Sequence, residues 1–295
     1  MQLGLGTVQF GSDYGVSNPG GRTPPDEVAR ILAFAEHEGI GLLDTAALYG
    51  DSEAVLGAAL RRGHPFRIVS KTIKFDAERI SATNVSDLRA GFEDSLHRLR
   101  QNRLYGLLVH SVADLLRPGG DLLWAALNEL KRERLVEKIG VSVYTGRDIE
   151  SVLARFRPDL VQLPLNVLDQ RLLAGGQLAR LKAKDIEVHA RSIFLQGLLL
   201  MEDAPVPSAL ARFRPRLERV WQACRRAAVS PLALSLAFVK SVAAVDAAIV
   251  GVAAAAQLAQ IVTALRSTIG IADFTAFACD EEQLLNPSLW NAQAG

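Results

Sequence analysis

Along this chain, short unbroken apolar runs alternate with longer stretches in which apolar residues recur every three or four positions. The short runs fall at residues 3–8, 40–44, 67–71, 104–110, 136–141, 160–163, 186–190 and 247–250, and they read as strands. The longer stretches, at about 24–38, 52–62, 86–100, 122–134, 147–157, 176–184, 208–239 and 254–265, read as helices. Thr23-Pro24-Pro25-Asp26 marks the first helix start: Thr23 can cap, proline fits the first turn, and Asp26 favours the positive helix end. Gly39 stops that helix, and Ser230-Pro231 breaks the long seventh stretch.

A sheet with one wet face would alternate apolar and polar residues; these strands do not, so both faces are covered. Strand and helix in regular succession imply parallel strands joined by crossover helices. Eight such units predict one α/β domain spanning 1–295, a closed (β/α)8 TIM barrel, with a tail from about 270 lying over one end. An open doubly wound sheet is the alternative. Against it, the first βα turn, Gly6-Thr7-Val8-Gln9-Phe10-Gly11, is not the Gly-x-Gly-x-x-Gly phosphate cradle.

Composition narrows the class. Hydrophobic residues at 49% and charged residues at 22% are ordinary for a globular chain, and a net charge of +1 makes no case for nucleic acid or an anionic membrane. The most apolar long stretch, 242–265, carries Asp246, Gln257 and Gln260 and is interrupted by Gly251, so it reads as a strand and a helix rather than a membrane span. The N-terminus lacks a signal-peptide pattern, and Cys224 and Cys279 sit at neither metal-ligand nor redox spacing, so a cytoplasmic protein is expected. With the five histidines scattered, no metal site is expected.

A parallel barrel builds its site from the C-terminal ends of its strands. Here the second run stops at Asp44, the third at Lys71 and the fourth at His110, while Tyr49 follows Asp44 by five residues. Singly, each has a plain structural use: a turn former, a solvated cation, a bonded imidazole, a packing ring. Together they bring an acid, a base, an imidazole and a phenol to one rim. A lysine ending a buried strand needs a partner, and Asp44 can be it. A phenol beside an ammonium is a better acid than a phenol alone. That suits protonation of the alkoxide left when a hydride reaches a carbonyl carbon. His110 can align the substrate oxygen through a hydrogen bond.

These residues resemble the aldo-keto reductase family over nearly the whole chain, with a likeness to bacterial members associated with sugar metabolism. Gly4-Leu5-Gly6-Thr7 is similar to the family's first strand, and Leu42-Leu43-Asp44-Thr45-Ala46-x-x-Tyr49-Gly50 to its best-known motif. Ser70-Lys71 and Leu107-Leu108-Val109-His110-Ser111 resemble its Lys and His strands. The resemblance implies a nicotinamide-dependent oxidoreductase with Asp44, Tyr49, Lys71 and His110 as catalytic residues. It also implies NADP or NAD lying extended over the rim. Ser142 and Gln162 would hold the carboxamide, with Asp44 close by. Gly6, Thr7 and Val8, then Arg191, Ser192, Phe194, Gln196 and Gly197, then Gly251, Val252, Gln257 and Gln260 would hold the rest. The opening N–H groups of the last helix suit a phosphate.

The chain departs from that family at three places. Val143 stands where Asn is usual, and Arg191 where an aromatic ring commonly stacks on the nicotinamide. The segment 251–260 has no Lys or Arg, which enzymes using the phosphorylated cofactor usually carry. A phosphate without its cation loses roughly 1.5–3 kcal/mol, so NAD is expected to be accepted or preferred.

The expected activity is hydride transfer to or from a small aldehyde, ketone or sugar-like alcohol, with Tyr49 as general acid/base. One alternative is a redox-neutral sugar-modifying enzyme, catalysing epimerisation or elimination with a retained cofactor. Another is a non-catalytic nucleotide-sensing subunit. Asp13, Tyr14, Asn18, Asn166, Asp169, Arg147 and Arg171 are weaker pocket candidates. Trp124 and Trp221 read as packing residues, and Trp290 belongs to a tail that can cover the mouth. The partner is a small molecule, with no nucleic acid or membrane, and the chain is expected to be a monomer or weak homo-oligomer.

Overall fold

The computed structural model describes residues 1–271 and 273–290; the end of the expected tail, 291–295, lies outside the described residues. Eight strands form a closed barrel in sequence order: β1 Gln2–Gly6, β2 Leu42–Asp44, β3 Arg67–Lys71, β4 Leu104–Val109, β5 Val136–Ser142, β6 Leu160–Pro164, β7 Glu187–Arg191 and β8 Ala247–Gly251. Every pairing is parallel, and β8 closes on β1 with Gln2 opposite Ala247 and Gly6 opposite Gly251. The barrel expected from the alternating pattern is therefore the fold.

The twofold period of the strands splits the core in two. Leu42, Val69, Leu108, Leu160, Ala247 and Ile249 form one buried cluster, while Leu43, Ile68, Leu107, Val161 and Ala248 join the larger cluster that includes helix residues such as Ile31, Leu127 and Leu258. Neighbours in sequence thus face opposite sides of the wall, and the barrel interior is filled. Each fully buried leucine contributes about 1.5–3 kcal/mol over leaving it exposed. Trp221 is also fully buried, and its Nε1–H donates to the Leu199 carbonyl at 2.9 Å, so no donor is stranded.

Helix boundaries differ from expectation where local chemistry intervenes. The first long helix is Pro25–His37, and its N-cap is Pro24 in an extended conformation. A residue before proline avoids the helical region, so Thr23 lies one residue too early to cap. Its hydroxyl is buried without a partner, and its amide donates to the Gln9 carbonyl at 2.9 Å. The helix expected at 176–184 is Gln177–Lys182, and a further short helix, Arg171–Ala174, precedes it across Gly175-Gly176. The long stretch after β7 becomes a 3-10 turn Ser208–Phe213 and helices Arg214–Ala227 and Pro231–Ser241, with Ser230 Oγ accepting from the Ala233 amide.

The tail is tied to the loop after β6. Cys279 N–H donates to the Leu168 carbonyl and Gln170 Nε2 to the Phe274 carbonyl, so the tail lies over the C-terminal end of the barrel. Among the described residues, no helix is long and apolar enough to cross a membrane, and no group of His, Cys, Asp or Glu is placed to hold a metal ion.

Candidate active site

The strand ends converge on a cavity of about 670 Å³. At its base, Lys71 Nζ donates to both Asp44 oxygens at 2.7 and 2.9 Å and to the Thr45 carbonyl at 2.9 Å. The two side chains are 1% and 6% exposed. Burial alone would push the lysine pKa down. The Asp44 carboxylate and Tyr49 outweigh it and hold the ammonium above its usual range, so Lys71 stays charged. Gln162 Nε2 donates to Asp44 Oδ2 at 2.7 Å, a third tie on the same carboxylate.

Tyr49 sits on the loop between β2 and helix Ser52–Ala59. Its amide donates to the Ala46 carbonyl and its carbonyl accepts from the Ser52 amide, both at about 3 Å. Two glycines seat this loop. A side chain at Gly11 would strike the Tyr49 carbonyl, and Gly50 adopts φ 54° against the Gly11 carbonyl. The Tyr49 ring centre lies 4.9 Å from Lys71 Nζ and 5.8 Å from the His110 ring, which it meets edge-on at 85°.

His110 directly follows β4, where its amide donates to Thr72 Oγ1 at 3.3 Å. Burial, then the nearby cations Lys71, Lys74 and Arg191, push its pKa down to about 3. The imidazole is therefore neutral at neutral pH, and its Nδ1 is buried without a partner.

The loop after β7 is strained. Ser192, Leu195, Gln196 and Gly197 all have positive φ, and Gly197 packs so closely on Ser17 that a side chain there would collide. Left-handed non-glycine residues cost energy and gather at ligand clamps. Here they bring Ser192, Phe194, Gln196 and Gly197 to the cavity wall.

The residues expected to hold a dinucleotide are largely brought together. Gly6, Thr7, Val8, Asp44, Ser142, Arg191, Gly251, Val252, Gln257 and Gln260 line the same cavity as that loop, and so do Tyr49 and His110. Gln162 and Lys71 lie beneath, bonded to Asp44. Gln162 Oε1 is buried with no partner. A carboxamide offers an N–H donor for that oxygen and an acceptor for the Ser142 hydroxyl, so these residues fit a nicotinamide.

Two of these places have further partners within the protein. The guanidinium of Arg191 is turned to the protein: it donates to the Val143 carbonyl at 3.1 Å and lies 4.2 Å from the Tyr144 ring centre. The departures at 143 and 191 are thus one arrangement, because residue 143 contributes its backbone and the arginine already has an aromatic face to cover. At the start of the last helix, Ala255–Arg266, two of the amides are already used. Ala253 N–H donates to Gln257 Oε1 and Ala255 N–H to Glu27 Oε1.

Among the weaker candidates, Tyr14 and Asn18 line the cavity. Asp13 instead accepts from the Arg22 amide. Asn166 Oδ1 accepts from the Leu168 and Asp169 amides, its Nδ2 donates to the Ser192 carbonyl at 3.1 Å, and Asp169 pairs with Arg171, so this set braces the loops after β6 and β7. Arg147 is not among the cavity residues. Trp124 packs on Phe156, and Trp290 donates to the Gln283 and Leu284 carbonyls, while Ser288 of the tail reaches the cavity. Lys74, Gln9 and Tyr144 also line it. Lys74 and Gln9 stand three residues beyond Lys71 and Gly6, and Tyr144 two beyond Ser142, so the strand ends read slightly further would have found them.

The comparisons agree with this architecture. Residues 2–278 match the model of the aldo/keto reductase family. A curated aldo-keto reductase from Mycolicibacterium smegmatis is 29% identical over 155 residues, 50% of this chain and 52% of that one, so the chain spans about half the length of this curated relative in the match. A crystallised Pseudomonas aeruginosa protein described as an aldo-keto reductase is 28% identical, with TM-score 0.66 over 89% of this chain and 88% of the other. The holo form of an aldo-keto reductase from Bacillus halodurans, 20% identical, shares the fold with TM-score 0.74 over 94% and 90%. The chain belongs to the aldo/keto reductase family. NAD(P)H-dependent oxidoreduction is the chemistry of that class.

Proposed function

We propose that this chain transfers a hydride between a nicotinamide cofactor and a small carbonyl or alcohol, with Tyr49 as general acid/base. The observation that carries the reading is the buried Asp44–Lys71 pair, with its ammonium 4.9 Å from the Tyr49 ring centre at the base of the cavity. When bound, the dinucleotide supplies the hydride that goes to the carbonyl carbon. The Tyr49 hydroxyl gives its proton to the carbonyl oxygen, and in the reverse direction the tyrosinate takes the proton back. Lys71, kept charged by Asp44, stabilises that tyrosinate.

Gln162 holds Asp44 from one side and keeps its own Oε1 for the carboxamide, together with Ser142. Neutral His110 offers the substrate oxygen a hydrogen bond and aligns it. Polar groups on the wall, including Tyr14, Asn18 and Lys74, support a hydroxylated substrate such as a sugar-like aldehyde or ketone.

Tyr49→Phe tests the assignment. It removes the proton donor and keeps the ring, so kcat is expected to fall by about 10²–10⁴, while cofactor affinity, read by protein fluorescence quenching, stays within about twofold. A phenylalanine variant retaining most of its activity would remove Tyr49 from this role.

A further inference from the structure

Ala253, Gln257 and Gln260 at the start of the last helix line the cavity. One amide at that helix start is in use: Ala255 N–H donates to Glu27 Oε1 at 2.6 Å. Glu27 belongs to the first turn of helix Pro25–His37, and its side chain is 18% exposed. Its other oxygen accepts from Arg30 Nε at 2.7 Å, and Arg30 Nη2 also holds Asp26 at 2.8 Å. Two carboxylates and one guanidinium leave this corner with one net negative charge. No Lys or Arg occurs within 251–265 to offset it.

We propose that Glu27 is a specificity-determining residue that selects NAD(H) over NADP(H). The proposal rests on the reading that the rim cavity holds a nicotinamide dinucleotide, with its adenosine end at the last helix. The two cofactors differ by a phosphate on the adenosine ribose 2′-oxygen. A 2′-hydroxyl is neutral and can donate a hydrogen bond to a carboxylate. A 2′-phosphate carries negative charge and would meet a carboxylate already seated on the Ala255 amide. Discrimination then comes from a repulsive element as well as from a missing attraction. The Ala255 amide and the Arg30 guanidinium hold the Glu27 carboxyl below its usual range, so it is charged at neutral pH.

Titration of the full chain with NADH and with NADPH, followed by fluorescence quenching, tests the proposal. The wild-type chain is expected to bind NADH at least about tenfold more tightly. Glu27→Gln keeps the shape and removes the charge, and should shrink the ratio of the two dissociation constants by about tenfold. Glu27→Asp keeps the charge and should keep NADPH disfavoured, which separates electrostatics from a structural effect on the helix. Added salt should narrow the wild-type ratio and leave that of Glu27→Gln nearly unmoved. Equal affinities or an NADPH preference in the wild type, or a ratio that Glu27→Gln does not change, would overturn the role of Glu27 while leaving the cofactor site standing. Failure of the folded chain to bind either cofactor would overturn both this role and the reading beneath it.

Discussion

At the N-terminal end of the barrel, the Glu187 carboxylate accepts from Tyr105 Oη at 2.7 Å, pairs with Lys138 and meets His189 Nε2 at 2.6 Å. At the C-terminal end, the Asp44 carboxylate is held by Lys71 and Gln162. Both clusters set one acid between a lysine and further hydrogen-bonding side chains, and both draw on several strands. They differ in where polar capacity is left over. The lower cluster leaves His189 Nδ1, on a side chain with no exposed surface. The upper one leaves His110 Nδ1 and Gln162 Oε1, at the cavity or one hydrogen bond from a residue that lines it. A buried polar atom without a partner is costly. One that faces a cavity has a ligand to wait for.

Volume alone would mislead. A cleft of about 920 Å³ opens beside the first residues of β3, β4 and β5, lined by Arg62, Arg100, Arg103 and Arg134 among others. Among the described residues, none of the buried atoms that lack a partner belongs to its lining.

Lys71→Met should break the comparison most severely. It leaves Asp44 buried with Gln162 but no cation, and removing one partner of a buried pair costs about 3–5 kcal/mol. Turnover should be lost as well. Denaturant unfolding reads the stability, and adding Asp44→Asn to the variant should recover part of it by deleting the unpaired charge. A Lys71→Met protein as stable as wild type would mean that water already reaches the pair.

Glu187→Gln is the matching change at the lower end. Lys138 is half-buried, with its side chain 30% exposed, and can turn to water, so the expected cost is smaller, about 1–3 kcal/mol from weakened hydrogen bonds. Activity should be unchanged, because the cluster touches no cavity atom at the rim. A large fall in kcat at full folding would erase the distinction between the two ends.

How far each end was legible follows from how local its signals are. The barrel was readable because apolar runs of strand length alternate with helical periods. Asp44, Lys71 and His110 were readable because each stands where an apolar run stops. The lower cluster was not, since Tyr105, Lys138 and His189 look like ordinary strand residues until the register brings them together. Glu27 and Ala255 are 228 residues apart, and no local pattern links them. Thr23 misled for a local reason: the cap rule applied, but the double proline moved the helix start beyond its reach. The contact of Arg191 with Tyr144 crosses from β7 to the loop after β5, so the sequence around Arg191 did not show it.

Acid titration separates the two ends by pH. Burial alone would raise Glu187, but hydrogen bonds from His189, Lys138 and Tyr105 bring it from 4.5 down to about 2 in the folded chain. Its stabilisation is present above the unfolded value and is lost as pH falls from about 4.5 towards 2. His110 drops from 6.5 to about 3 by burial and its cationic neighbours. Between those values the unfolded chain takes up a proton that the folded chain refuses, so stability falls with pH across that window, by at most about 1.4 kcal/mol per pH unit for one group. Between pH 6.5 and 4.5 the rim histidine therefore acts before the lower glutamate does. His110→Asn should flatten the stability curve between pH 6.5 and 4.5 and reduce its slope down to about 3, whereas Glu187→Gln should leave the upper window and flatten the curve only below 4.5. If Glu187→Gln also flattens the curve between pH 6.5 and 4.5, the two clusters titrate as one unit and the separation between rim and base does not extend to their protons.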